Sequence, residues 1–421
     1  MGVQANGQAT PRDLLSLPQV LRSKGFKTAC FGKLHVQGRN DLDWDVVEGL
    51  KGGKKSAKKG EGAGEAAPSA AGTKAAAEWV APPSYFGAPW PFPESDTPEW
   101  FAKEHAIAFL KANREGPWFV QCSMNKPHPP FTPPKGAWDM VDRSKLTIPD
   151  YPADDLDDVD PRHRDMMVKA GLEQQTREQI LDGMQGYYGN LAFADAMLGE
   201  VLKTLDALGL RGDTLIVYTA DHGEMLRHHH LWKKQCFFDQ AVRVPLIMSW
   251  PCAIAAGRST NALIEHIDLF PTLVEMLGLE VPKGLQGRSV GPVIAGKDER
   301  GRPYVRSESY IKVQGALYAT VMQYDGRYKF IDNGPNAAPE LYDRQEDPRE
   351  ITNIQARPGQ RRRVEQLTDE LRAWLKQDAV APMPVEGKRA KTAKQGAPKK
   401  TKPGKANKKA PAKSGNDEAG E

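Results

Sequence analysis

Three times along this 421-residue chain, a helical pattern leads into a short hydrophobic strand, and the strand's carboxyl end delivers Lys, His or Asp. In the first unit Ser16 suits an N-cap and Pro18 the first turn, Leu17, Val20 and Leu21 give an apolar face, and Gly25 suits the stop. Phe26–Phe31 then reads as a buried strand running into Gly32-Lys33-Leu34-His35. In the second, Thr97 and Pro98 open a helix with Phe101, Ala108, Phe109 and Leu110 on its apolar side. The strand Trp118–Met124 follows and ends at Asn125-Lys126-Pro127-His128. The third unit is the most regular. From Tyr187 to Leu208 apolar residues recur at helical spacing, Gly209 ends the helix, and the strand Thr214–Thr219 meets Ala220-Asp221-His222-Gly223. Continuous apolar strands alternating with helices point to an α/β fold whose parallel sheet is covered on both faces. In such sheets ligands bind outside the carboxyl ends of the strands, where the polar groups fall here.

The pattern changes further along. Val242–Ser249 reads as another strand, and Asp268 is placed to cap a helix through Phe270, Leu273, Val274 and Leu277. From Val305 to Ile331 short strands rich in Tyr and Val, with a turn at Asp325-Gly326, suggest a small antiparallel sheet. Arg361–Gln377 reads as a last amphipathic helix. The expected organisation is an α/β domain over 1–300 with a low-complexity insertion at 51–77, an α+β subdomain over 301–382, and a disordered Lys/Ala/Pro-rich tail over 383–421.

Charge excludes one class of partner. The formal net charge is +4, but residues 51–77 hold six Lys against two Glu, and residues 387–421 hold eleven Lys and Arg against three acids. The other 359 residues carry a net −8, so a nucleic-acid-binding body is not expected. No apolar run approaches the roughly 20 residues a membrane span needs. Four Cys without a C-x-x-C pair make neither a disulfide scaffold nor a metal knuckle, and packed, inert thiols are expected. The stretch MGVQANGQATPRD shows neither the charged start nor the apolar run of a signal peptide, so the compartment stays open, as does the oligomeric state.

Lys33, His35, Lys126, His128, Asp221 and His222 stand at the three strand ends, and His228-His229-His230-Leu231-Trp232-Lys233-Lys234 follows the third. Cations, imidazoles and one carboxylate together suit an anionic, tetrahedral substrate. Lys offers point charges to its oxygens, His can protonate a leaving oxygen near neutral pH, and Asp221 suits a hard metal ion. Each piece alone has a plainer reading: Gly-Lys-x-His as loop chemistry, three His as a solvated turn. Their joint occurrence at three strand ends carries the functional reading.

The run TLIVYTADHGEMLRHHHLWKKQCFFDQAVRVPLIMSWP resembles the sulfatase signature of the alkaline-phosphatase superfamily: strand, Asp-His/Asn-Gly, a His, Trp-x-Lys, an acidic residue and Val-Pro-Leu. GFKTACFGKLHVQG resembles the family's Gly-Tyr-x-Thr…Gly-Lys-x-His segment, and SMNKPHPPFTPP its Lys-Pro-His-x-Pro-Phe segment as found in iduronate-sulfatase-like and arylsulfatase-like members. HIDLFPTLVEMLGLEVP and ELYDRQEDPREITNI resemble later segments. The resemblance implies a three-layer α/β/α sandwich with a mainly parallel sheet, a small C-terminal antiparallel sheet, and hydrolysis of a sulfate ester of a sugar or aryl alcohol. It implies that Asp221 and His222 are metal ligands for Ca2+, that Lys33 and His35 contact nucleophile and sulfate, and that His128 approaches the leaving oxygen. It further implies that Lys234 binds sulfate, and that His229, the family's His three residues before the Trp, and Lys126 lie on the substrate side.

The family's nucleophile is a formylglycine made from Cys or Ser in C/S-x-P-x-R. No such motif occurs here, and the paired Asp ligands of the family's first strand are also absent. The expectation is a chain that begins inside a longer gene and lacks its first strand, nucleophile and two metal ligands. It would be periplasmic or secreted if the full-length protein carries an export signal. Two other readings compete: a phosphodiesterase or phosphonate monoester hydrolase of the same superfamily, and an inactive remnant that binds anionic ligands. Expected partners are sulfated small molecules or polysaccharides.

Overall fold

The structure is a computed structural model that describes residues 10–11, 14–34, 43–48, 81–313, 316–335 and 337–377. The insertion at 51–77, His35 and the Lys-rich tail lie outside the described residues. All described residues fall within one compact unit, Met1–Val380. Helix α1 (Leu17–Ser23) starts as its sequence dictates: Ser16 Oγ accepts the Gln19 N–H while Gln19 reaches back to the Ser16 N–H, a capping box with Pro18 in the first turn. Strand β1 (Lys27–Gly32) follows, buried at five of its six positions. It is flanked in parallel by β2 (Val46–Glu48) and, beyond helix α2 (Pro98–Ala112), by β3 (Trp118–Ser123), in the order β2-β1-β3. Ala102, Ala106 and Phe109 of α2 pack on Ala29 and Phe31 of β1.

Two short helices, α3 (Lys135–Asp139) and α4 (Arg162–Lys169), precede α5 (Arg177–Ala207). Helix α5 begins at a Thr176–Gln179 capping box, well before the expected start at Tyr187, and α2 and α3 both pack on it. Strand β4 (Ile216–Thr219) is shorter than Thr214–Thr219. It pairs antiparallel with β5 (Leu246–Ser249), and a helical turn, α6 (Asp239–Val242), occupies the start of the expected Val242–Ser249 strand. The third unit therefore contributes a separate antiparallel pair rather than a fourth strand of the parallel sheet. Helix α7 (Leu269–Met276) is present, but Asp268 does not cap it with its side chain. Its carboxylate instead accepts the backbone N–H groups of Glu265 and Arg288 and the guanidinium of Arg302.

After α8 (Gly291–Ile294), strands β6 (Val305–Val313), β7 (Ala316–Tyr324), β8 (Tyr328–Asp332) and β9 (Glu340–Asp343) form an antiparallel sheet in sequence order, with Gly326 at φ +96° in the expected Asp325-Gly326 turn. Helix α9 (Arg361–Gln377) covers one face of it through Val364, Leu367, Leu371 and Trp374. Met322, Ile331 and Tyr342 on this sheet join the main core around Phe131, Met184, Trp232 and Phe238. Among the described residues no helix is long and apolar enough to cross a membrane.

Candidate functional site

The ends of β1, β3 and β4 bring the predicted residues into the loops of one body. Gly32 closes β1 at φ +95°, and a Cβ there would lie 2.0 Å from the Ser123 carbonyl of β3. Only glycine lets the two strand ends approach this closely. Lys33 follows, its backbone N–H bonded to that same carbonyl at 3.1 Å.

His128 stands on the loop after β3. Its Nδ1 lies 2.8 Å from the Pro129 carbonyl, which can only accept, so Nδ1 carries the proton. Nε2 is then an acceptor, and the Lys234 ammonium meets it at 3.2 Å. This pair joins groups more than a hundred residues apart in sequence, across the loops after β3 and β4. His222 lies edge-on to His128, ring centroids 6.5 Å apart. Its Nδ1 donates to the Gly223 carbonyl at 2.7 Å, which leaves Nε2 as a lone-pair donor 3.7 Å from Asp221 Oδ1. Asp221 is open, with 74% of its side chain exposed. Beside His128 a cleft of about 350 Å³, partly open to solvent, is lined by Trp90, Thr97, Glu99, Lys126, Pro130 and Thr132.

Lys234 owes its position to an anchored and strained turn. Trp232 is fully buried, packed near Tyr85 and Phe131, with its indole N–H on Gln175 at 2.6 Å. Leu226, Arg227, His229, His230 and Lys233 all have positive φ, five of six such non-glycine residues among those described. L-residues pay for that conformation and need outside support to hold it. Glu224 supplies part of it: Oε1 accepts the N–H of Lys233 at 2.6 Å and that of Leu226 at 3.4 Å. Burial pushes the Glu224 carboxyl up to about 7, against the pull of those N–H groups and the nearby lysines.

His229 supplies the rest. Expected on the substrate side, it is fully buried, with Nδ1 2.9 Å from Asp155 Oδ2 and its ring stacked 3.7 Å from that of Phe238. Its Nε2 has no hydrogen-bond partner. In this arrangement it fastens the turn to the loop that carries Asp155. Lys126, also expected on the substrate side, turns its ammonium inward to Asn190 and the Thr132 carbonyl, and burial lowers it to about 8. The thiols of Cys30, Cys122 and Cys236 are pushed up by burial to about 11, 12 and 12, as expected of packed cysteines, whereas Cys252, on the loop after β5, is exposed.

Glu99, Asp155, Asn190 and Glu224 were not singled out in the sequence. Glu99 and Asn190 sit at core-facing positions of helices, and a polar residue in an apolar stripe is the signal that could have found them. Asp155 lies in the acid-rich ADDLDDVD, where no pattern separates it from its neighbours.

Among the described residues no group of three or more His, Cys, Asp and Glu is arranged to hold a metal ion. Asp221 and His222 fit one as two donors with the correct tautomer, fewer than calcium requires.

A family model described as Sulfatase matches residues 1–279, and one described as N-sulphoglucosamine sulphohydrolase, C-terminal, matches residues 227–377. Arylsulfatase K of Xenopus laevis is 26% identical over 300 residues, covering 65% of this chain and 55% of that protein. Choline-sulfatase of Rhizobium meliloti (strain 1021) is 30% identical over 248 residues, covering 58% of this chain and 47% of that protein. The chain thus spans about half the length of the curated relatives it matches. The solved phosphonate monoester hydrolase from Silicibacter pomeroyi superposes with a TM-score of 0.72 at 22% identity, covering 90% of this chain and 83% of that one. A structure in complex with its substrate D-glucosamine-2-N,6-O-disulfate superposes with a TM-score of 0.65 at 20% identity, covering 90% and 85%. At these identities the likeness to solved structures is one of fold: α/β, with a parallel sheet and a C-terminal antiparallel sheet. The Sulfatase model covers more than half of the sequence, and the chain belongs to the sulfatase family.

Proposed function

We propose that this chain forms most of the catalytic body of a sulfuric ester hydrolase. The observation that carries the reading is the His128–Lys234 pair, 3.2 Å apart, with His222 and Asp221 beside it. The Lys234 ammonium can bind a sulfuryl oxygen as negative charge builds there. With Nδ1–H held by Pro129, His128 offers Nε2 to the leaving oxygen. A proton shared between Nε2 and Lys234 can pass to that oxygen as the ester bond breaks. Lys33, at the end of β1, adds a second cation for the sulfate. Asp221 and His222 would hold a divalent cation, which we take to be Ca2+, together with ligands from elsewhere; when bound, that ion would neutralise sulfate charge.

The nucleophile, a formylglycine, and the remaining metal ligands would come from polypeptide outside these 421 residues. His35, which resembles a nucleophile contact, belongs to the same proposal. The substrates proposed are sulfated sugars or aryl sulfates; the names of the relatives support a sulfate ester, aryl in one case and choline in the other.

The test uses a polypeptide extended upstream in its gene. Its rates on an aryl sulfate and on a phosphonate monoester are compared, for wild type, Lys234→Ala and His128→Ala. Sulfate cleavage should dominate, and each variant should lose about 100-fold or more in kcat/KM. Dominant phosphonate cleavage would favour the superfamily alternative, and full activity in both variants would remove the residue assignments.

A further inference from the structure

The loop that carries His128 reads Asn125-Lys126-Pro127-His128-Pro129-Pro130-Phe131-Thr132. Three prolines leave it few N–H donors with which to hold its own shape. The His128 and Phe131 N–H groups bond to the Asn125 and Ser84 carbonyls, and side chains from two helices and from the loop itself add to that hold. Glu99, in the first turn of α2 and 1% exposed, accepts the N–H groups of Asn125 at 3.2 Å and Lys126 at 2.9 Å through Oε1. Asn190, in α5 and fully buried, donates to the Pro130 carbonyl at 3.2 Å and accepts from Lys126 Nζ at 2.8 Å. Lys126 Nζ also donates to the Thr132 carbonyl at 3.0 Å. Residues on both sides of His128 are therefore bonded to buried polar groups, while His128 faces Lys234.

We propose that Glu99, Lys126 and Asn190 form a brace that positions His128 against Lys234, and that Lys126 is a positioning residue rather than a sulfate contact. A buried carboxylate, a half-buried ammonium and a buried amide in one place are costly for stability alone, since apolar residues would fill the space at least as well. The brace recovers that cost as geometry. A general acid displaced by about 1 Å can lose about 100-fold in rate. The lowered proton affinity of Lys126 agrees with an ammonium drawn inward onto the Asn190 amide and the Thr132 carbonyl. The catalytic part of this inference rests on the sulfatase reading; the geometric part does not.

Two arms test it separately. In the 421-residue chain, NMR should show a nuclear Overhauser contact between His128 Hε1 and the Lys234 Hε protons. That contact should be lost in Lys126→Met and in Asn190→Ala, and kept in Glu99→Gln, which preserves an oxygen acceptor for both N–H groups. Should Lys126→Met fail to fold, Asn190→Ala decides alone. A contact retained in a folded Asn190→Ala variant overturns the brace. In the polypeptide extended upstream, Lys126→Met and Asn190→Ala should lower kcat about 10–100-fold and leave KM within about threefold. A KM raised by about tenfold or more in Lys126→Met, with Asn190→Ala unaffected, would make Lys126 a sulfate contact and overturn the proposal. If the wild-type polypeptide cleaves no sulfate ester, the sulfatase reading fails while the NMR arm still decides the geometry.

Discussion

Strands β3 and β4 end at the candidate site, and β8 and β9 close the C-terminal sheet; the first pair carries no charged residue and the second carries four, yet the second is the better covered. Every residue of β9 and four of five in β8 are buried. Helix α9 covers one face of that sheet and the main core takes the other. Strand β3 is half-buried at all six positions, and β4 is exposed at Tyr218 and Thr219. Ile247, opposite Tyr218 on β5, is 59% exposed. Among the described residues β3 pairs only with β1 and β4 only with β5, so each leaves one edge unpaired. A continuous apolar run thus reports the coverage a strand is suited to, not the coverage it receives from the residues around it. Polypeptide beyond this sequence that supplied a strand at these edges would complete the sheet at the place where the site residues emerge.

That contrast can be broken by mutation. Phe330→Ala in β8 should cost about 3–5 kcal/mol in chemical denaturation, because a fully buried ring leaves a cavity. Ile247→Ala in β5 should cost under about 0.5 kcal/mol. Similar losses at the two positions would mean that β5 is covered after all. Hydrogen exchange reads the same contrast without mutation: amides of β3 and β4 should exchange about 100-fold or more faster than those of β8 and β9. In a polypeptide extended upstream that gap should narrow, and an unchanged gap would argue against an added strand.

The covered region also carries a pH signature. His163 is buried near Phe238, and burial lowers its imidazole to about 4, against Asp160, which favours the cation, and with Arg162 and His229, which oppose it. Between pH 6.5 and about 4 the unfolded chain takes a proton that the folded chain refuses, so stability falls as pH drops through that window and is flat for this group above it. Thermal melts should show a wild-type Tm that falls faster over that window than that of His163→Gln, by a few degrees; parallel profiles would contradict the assignment.

A gain in stability is expected in the turn before Lys234. Lys233 holds φ +77°, so Lys233→Gly should stabilise the chain by about 0.5–1 kcal/mol, the relief of strain outweighing the added freedom of the unfolded state. A loss of stability would show that the Lys233 side chain, 5.8 Å above the Tyr85 ring, matters more than the strain.

Much of this was legible in the sequence, and the gaps have physical causes. The caps at Ser16 and Thr97, the stops at Gly25 and Gly209, and the Asp325-Gly326 turn are local chemistry, and they appear where their residues stand. The first third of α5, before Tyr187, was hidden because Gly183 and Gly186 interrupt its pattern. They are there for packing: a Cβ at Gly186 would lie 2.3 Å from the Phe131 carbonyl, on the loop that carries His128. Motif spacing located Lys126 and His229 but could not say which way they face. Direction depended on Asn190 and Asp155, 64 and 74 residues away in sequence, and no local signal reports such a partner.

The central claim is that His128 and Lys234 face the sulfate while Lys126 and His229 stand behind them. Titrating the 421-residue chain with sodium sulfate, followed by NMR at these four side chains, tests it directly. The account predicts saturable shifts at His128 and Lys234, little change at Lys126 and His229, and loss of the His128 response in Lys234→Ala. No saturable shift at His128 and Lys234, or saturation centred on Lys126 or His229, would contradict it.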